Sequence, residues 1–163
     1  MALADLIQRQ AVWRGGAPLA AGAFAVPTGF RALDAELPGG GWPAGGLVEA
    51  LCRHEGIGEL QLVLPALAAL TAEGRRAVWL APPHLPYAPA LRGAGVRLEC
   101  LTVVRAPGRR DALWAAEQAL RARAFHALLI WLPRASYPEL RRLAGSPGQP
   151  GIYRGVPAAA GGL

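Results

Sequence analysis

Apolar residues recur at two different periods along this chain, and the switching between them predicts its elements. Leu3, Leu6, Ile7 and Ala11 fall at helical spacing, so residues 3–13 read as an amphipathic helix. A Gly/Ala/Pro-rich linker follows, from Gly15 to Pro27. Thr28-Gly-Phe-Arg-Ala-Leu-Asp-Ala-Glu reads as a short capped helix, stopped by Pro38 and the glycines after it. Leu47–Cys52 is a short apolar run of the kind that forms a strand. Gly58–Glu73 predicts a helix on a Leu60, Leu64, Leu67 stripe, with Pro65 either kinking it or marking its true beginning. Further strands are expected over 77–81, 101–104 and 127–132, and helices over 87–95, 111–123 and 137–143. In the longest of these helices Leu113, Ala116 and Leu120 should face inward, with Glu117 and Arg121 paired at i,i+4 outside.

Strands alternating with helical segments imply βαβ units, right-handed crossovers and a mostly parallel sheet, an α/β fold class. The expected organisation is an N-terminal helix and linker (1–27), a core (28–144) and a flexible Gly/Pro/Ala-rich tail (145–163). Hydrophobic residues at 53% and charged residues at 17% suit one packed domain and argue against disorder over most of the length. No apolar run reaches the roughly 18 residues of a membrane span. Asp5 and Gln8 interrupt any signal-peptide order, and Cys52 and Cys100 form no CxxC pair. A reducing, cytoplasmic setting is the expectation, with no structural metal.

Charge changes the picture more. All 17 basic residues are arginine, so no reaction here can use a lysine. A net charge of +6 favours anionic partners.

In open parallel sheets ligands bind beyond the carboxyl ends of the strands, and the loop after the first strand is the usual phosphate cradle. Here that loop is Arg53-His54-Glu55-Gly56-Ile57-Gly58-Glu59-Leu60. A working phosphate loop ends in Gly-Lys-Ser/Thr, the lysine reaching phosphates and the hydroxyl holding magnesium. Gly56 and Gly58 remain, but Glu59 and Leu60 stand where the lysine and the hydroxyl belong. The fourth strand ends in Trp131-Leu132-Pro133, without a metal-assisting carboxylate. The expectation is therefore a degenerate loop with no catalytic residue, no cofactor and no metal.

Arg53, His54, His84, Arg105, Arg109, Arg110 and Arg134 all follow strand ends and are candidate anion or partner contacts, although loops also carry charge simply because strands cannot. His54, Glu55 and Glu59 imitate a metal trio that no second cluster closes, and Ser136 and Ser146 lack a nucleophile context. The proline-rich stretch 82–89 reads as a stiff loop, structural or a recognition surface. Trp79 and Trp131 are expected in the core, Trp13 and Trp42 in contacts.

The stretch 26–49, Val-Pro-Thr-Gly-Phe-Arg-Ala-Leu-Asp through Gly-Gly-Leu-Val-Glu, resembles the segment that precedes the phosphate loop in RecA recombinases. With Glu55-Gly-Ile-Gly-Glu-Leu, Ala81-Pro-Pro-His-Leu-Pro-Tyr-Ala-Pro-Ala-Leu and Asp111-Ala-Leu-Trp-Ala-Ala-Glu-Gln-Ala-Leu-Arg, the chain resembles the ImuA family over roughly residues 1–144. That resemblance implies a RecA-like three-layer domain with a truncated C-terminus. It also implies a non-catalytic bacterial adaptor of the DNA-damage (SOS) response that supports error-prone translesion synthesis, nucleoid-associated when active. The implied partners are an ImuB-like adaptor and an error-prone polymerase, with RecA and DNA as further candidates and no membrane. Leu3, Leu6 and Ile7 would then meet a partner or pack on their own domain. The alternative resemblance is to the SulA family, whose members bind the tubulin-like division protein and block its polymerisation. Leu80-Ala-Pro-Pro and the Ala119-Leu-Arg, His126, Trp131-Leu pattern suit either family, while the segment 28–49 and the loop 82–89 favour ImuA. An enzyme or nucleotide-binding module with an unfamiliar loop is a third reading.

Overall fold

Short leucine- and valine-rich runs, each bounded by glycine or proline, become the strands of a parallel sheet in a computed structural model of the chain. The structure describes residues 25–37, 39–52, 58–132, 135–144 and 151–157, and the side chains of 51, 52, 144 and 151–157 are not among what is described. The helix expected over 3–13, with Leu3, Leu6, Ile7 and Trp13, lies outside these residues.

The first described segment is a ribbon in which β1 (Ala25–Val26) pairs antiparallel with β2 (Trp42–Pro43). Between them lies α1 (Arg31–Glu36). Its start is organised by side chains on both flanks: the Thr28 N–H donates to Asp34 Oδ1 at 2.8 Å, and the Phe30 N–H donates to Thr28 Oγ1 at 3.0 Å. Thr28 is fully buried by this arrangement.

The sheet has the order β3 (Leu47–Cys52), β7 (Gly151–Pro157), β6 (Ala127–Trp131), β4 (Ala77–Leu80), β5 (Leu101–Val104), with every neighbouring pair parallel. After β3 a 3₁₀ turn (Glu59–Leu62) leads into α2 (Leu64–Ala72). Pro65 sits in the first turn of α2, where its missing N–H leaves no intrahelical bond unmade, so it marks the helix start and makes no kink. The remaining helices are α3 (Ala88–Gly93), α4 (Arg109–Ala122) and α5 (Tyr137–Ala144).

Residues of β4 and β6 alternate between two cores, as period-two side chains on a doubly covered strand must. Trp79, Ala77, Ala127 and Leu129 join Ala66, Leu67 and Leu70 of α2 and Leu91 of α3. Val78, Leu80, Leu128 and Ile130 join Ala112, Leu113, Ala116 and Leu120 of α4 and Leu143 of α5. Thr71 of α2 is buried yet satisfied: its hydroxyl donates to the Leu67 carbonyl at 2.8 Å and accepts the Arg97 N–H at 3.1 Å.

The expectation of a RecA-like three-layer domain with a truncated C-terminus is corrected here. The elements are few and short, with sheet strands of four to seven residues and helices of six to fourteen, and a separate two-stranded ribbon stands before them. The tail that composition marks as flexible supplies β7, which fills the place between β3 and β6. Its backbone groups complete two ladders at once, and that stabilisation outweighs the low strand propensity of its glycines and proline. Pro157 falls at the strand's end, where a missing donor is tolerated.

Candidate functional site

Among the described residues, three concavities around the sheet take up several of the residues singled out by sequence. The first is an apolar cavity of about 250 Å³ beneath the 3₁₀ turn. Gly58 adopts φ +97°, a left-handed conformation that directs the chain into the turn, and Glu59 and Leu60 then line the cavity with Leu33, Trp42, Val48, Leu129 and Trp131. None of its described lining residues is basic, and Glu49 and Glu59 both border it. This mostly apolar lining suits an apolar side chain. Trp42, expected at a contact surface, is instead 5% exposed, because pairing of Val26 with Trp42 turns the indole into the core. Arg53, His54, Glu55 and Gly56 fall outside the described residues, as does Arg134.

The second concavity, about 450 Å³, lies at the carboxyl ends of β4 and β5 and brings His84 and Arg105 together with Ala81, Pro82, Leu85 and Pro107. Ala81 has φ +52°, which a non-glycine residue adopts only when its surroundings hold it there. Here its N–H donates to the Val104 carbonyl at 2.8 Å, which ties the exit of β4 to β5. Pro82, Pro83 and Pro86 then stiffen the loop, and Leu85 and Tyr87 are each 71% exposed on it. Two large apolar side chains held outward on a rigid loop are the features of a partner's anchor points.

The third concavity, also about 450 Å³, lies between α4 and α5 and is lined by Arg109, Arg110, Leu113, Trp114, Glu117, Glu139 and Arg142. Glu139 is held by Ser136, whose N–H and hydroxyl both donate to its Oε2 at 2.7 Å, and it also accepts from Arg109. The Ser136 hydroxyl, its N–H and the neighbouring Arg109 together hold the Glu139 carboxyl below its usual range. Glu117 pairs with Arg142 at 3.6 Å; this is a bond between helices in place of the i,i+4 pair expected with Arg121. Ser136 thus stands just before α5, and the Glu139 side chain three positions on reaches back to accept its N–H, one half of a capping box. Trp114 and Tyr137 were not singled out by sequence, yet they are 64% and 75% exposed. The available signal was position: Trp114 lies off the buried Leu113, Ala116, Leu120 stripe.

The predicted basic rim is therefore divided between separate places. His84 and Arg105 share one hollow, and Arg109 and Arg110 another. Among the described residues no group of His, Cys, Asp and Glu could hold a metal ion, and no helix is long and apolar enough to cross a membrane.

Residues 46–148 match the family described as cell division inhibitor SulA. The chain belongs to the SulA family. The crystal structure of SulA from Pseudomonas aeruginosa is similar to this fold, with 26% sequence identity over 70% of this chain and 99% of that one, and a TM-score of 0.55. That likeness overturns the RecA-like three-layer expectation and places the fold with SulA. No curated protein matches the chain. Of the two resemblances visible in the sequence, the SulA alternative is the one the match supports. Most of the stretch that favoured ImuA, residues 28–45, lies before the matched region.

Proposed function

We propose that this protein is a non-catalytic inhibitor of cell division that acts by binding the tubulin-like division protein and blocking its polymerisation during the DNA-damage response. The observation that carries this reading is membership of the SulA family across residues 46–148, together with the similarity to a solved SulA structure. The apolar loop after β4 gives the reading a physical anchor. Leu85 and Tyr87 project from a proline-stiffened segment, so their ordering costs little entropy on binding, and His84 and Arg105 add a polar rim.

Non-catalytic action agrees with the chemistry of the loop after β3. Glu59 and Leu60 stand where a lysine and a magnesium-binding hydroxyl would be needed, and they line an apolar hollow.

The test is sedimentation of the division protein with GTP, with and without this chain in equimolar amount. Inhibition should reduce the pelleted polymer, and the double variant Leu85→Ala/Tyr87→Ala should restore most of it. Overproduction in a bacterium with intact polymerases should give filaments. Unchanged polymer yield at several-fold excess of the wild-type chain, with altered damage-induced mutagenesis in the cell, would return the adaptor reading to first place.

A further inference from the structure

We propose that the exposed stripe of α4, beside its groove with α5, binds single-stranded nucleic acid, with Trp114 stacking on a base and Arg110 and Arg121 meeting phosphates. The proposal does not rest on division inhibition and concerns a different surface from the Leu85–Tyr87 loop.

Four observations carry it. Arg110, Trp114, Glu117 and Arg121 recur at three- and four-residue spacing, so they form one stripe along α4 beside its buried stripe. Trp114 is 64% exposed. The two carboxylates lining the groove are already taken, Glu117 by Arg142 and Glu139 by Arg109 and Ser136. Arg110 and Arg121 are exposed and make no ion pair among the described residues.

An exposed indole flanked by unneutralised guanidinium groups matches both parts of a nucleotide, the flat base and the phosphate. Stacking is indifferent to base identity, and arginine adds a planar cation that can contact either part. A duplex keeps its bases stacked inside and leaves the indole without a partner, so the single strand is the form that fits. An acidic peptide would engage the arginines but leave Trp114 unused. The start of the fourteen-residue α4 adds positive potential at the same end as Arg109 and Arg110.

The experiment is fluorescence anisotropy of fluorescein-labelled (dT)20 and (U)20 with the full chain at about 50 mM salt. Saturable binding is expected. Trp114→Ala should weaken it at least about tenfold, and Trp114→Phe should recover most of the loss. Arg110→Ala/Arg121→Ala should weaken binding and flatten its salt dependence. Leu85→Ala should leave it unchanged, and thermal melts should show all variants folded. DNA binding without RNA binding, or the reverse, would assign the sugar and still support the site. Absence of binding to both probes would overturn the proposal. So would equal affinity for Trp114→Ala, tighter binding of duplex, or displacement by poly-glutamate at lower concentration than by (dT)20. Loss of division inhibition in Trp114→Ala, with no oligonucleotide bound by wild type, would give this face to the division protein instead.

Discussion

Trp79 and Trp131 meet across the paired strands β4 and β6 with ring centroids 5.6 Å apart and planes tilted by 57°. Trp79 is 1% exposed in the core under α2, while Trp131 is half-buried and forms part of the apolar cavity wall. A tilted pair at this distance gains from the ring quadrupoles as well as from burial. The contact therefore joins the centre of the core to the hollow beneath the 3₁₀ turn. Trp131→Ala should destabilise the fold by about 2–3 kcal/mol, because the cavity would enlarge and Trp79 would lose its ring partner. Urea unfolding followed by circular dichroism would read this as a lower midpoint at unchanged slope. Trp131→Phe should lose less than half as much.

Gly29 closes the turn before α1 with φ +87°, and a Cβ built there would lie 2.4 Å from Cβ of Pro65. Gly40 has a similar φ of +78° but open space around it. The two glycines separate backbone strain from steric conflict. Gly40→Ala should cost only about 1 kcal/mol for the left-handed conformation. Gly29→Ala should cost clearly more, because α2 or the turn must also move. Equal unfolding midpoints for the two variants would show that this approach of the turn to Pro65 is not tight.

Much of this was legible in the sequence wherever a local pattern and the tertiary environment agree. The strands at 47–52 and 101–104 lie where the apolar runs predict them, and Leu113, Ala116 and Leu120 are buried as their spacing requires. The reading failed where distant partners decide the outcome. Gly151–Pro157 carries turn-forming residues and becomes a strand only because β3 and β6 flank it on both sides. Trp42 is one residue of a two-residue strand, too short for any periodicity to show which way it points. Arg109 and Arg110 follow a strand end as His84 and Arg105 do, yet the chain turns into α4 and carries them to another groove. Glu59 and Leu60, by contrast, could be judged from residue type alone, since no tertiary setting makes them a lysine and a hydroxyl.

That substitution gives a direct measurement. A ligand present at 100 times its dissociation constant should add about 2.7 kcal/mol to folding stability. Millimolar ATP with magnesium should leave the melting temperature of this chain unchanged, because the hollow after β3 offers carboxylates and apolar surface. An upward shift of several degrees would show nucleotide binding and reopen the question of a cofactor.

Thr71 ties α2 to the segment that enters β5. Its hydroxyl donates to the Leu67 carbonyl and accepts the Arg97 N–H, which comes from 26 residues away. Thr71→Val keeps the shape and removes both roles, leaving the Arg97 N–H without this acceptor. The expected cost is about 1–3 kcal/mol, and Thr71→Ser should recover most of it. A valine variant as stable as wild type would mean that water takes over the Arg97 N–H.

Glu139 makes the α4–α5 contact sensitive to acid. Its carboxyl is held below the usual range first by the Ser136 hydroxyl, then by the Ser136 N–H and by Arg109. A carboxyl whose folded value lies below its unfolded value adds stability above the unfolded value, and that stability is lost as the pH falls through the folded one. Glu139→Gln removes the titration while keeping a side chain that can accept a hydrogen bond. Wild type should therefore exceed the variant in stability near neutral pH, and the difference should close as the pH falls below about 4. Urea midpoints at a series of pH values would show this convergence. A constant difference down to about pH 3 would mean that Ser136 and Arg109 do not favour the charged form.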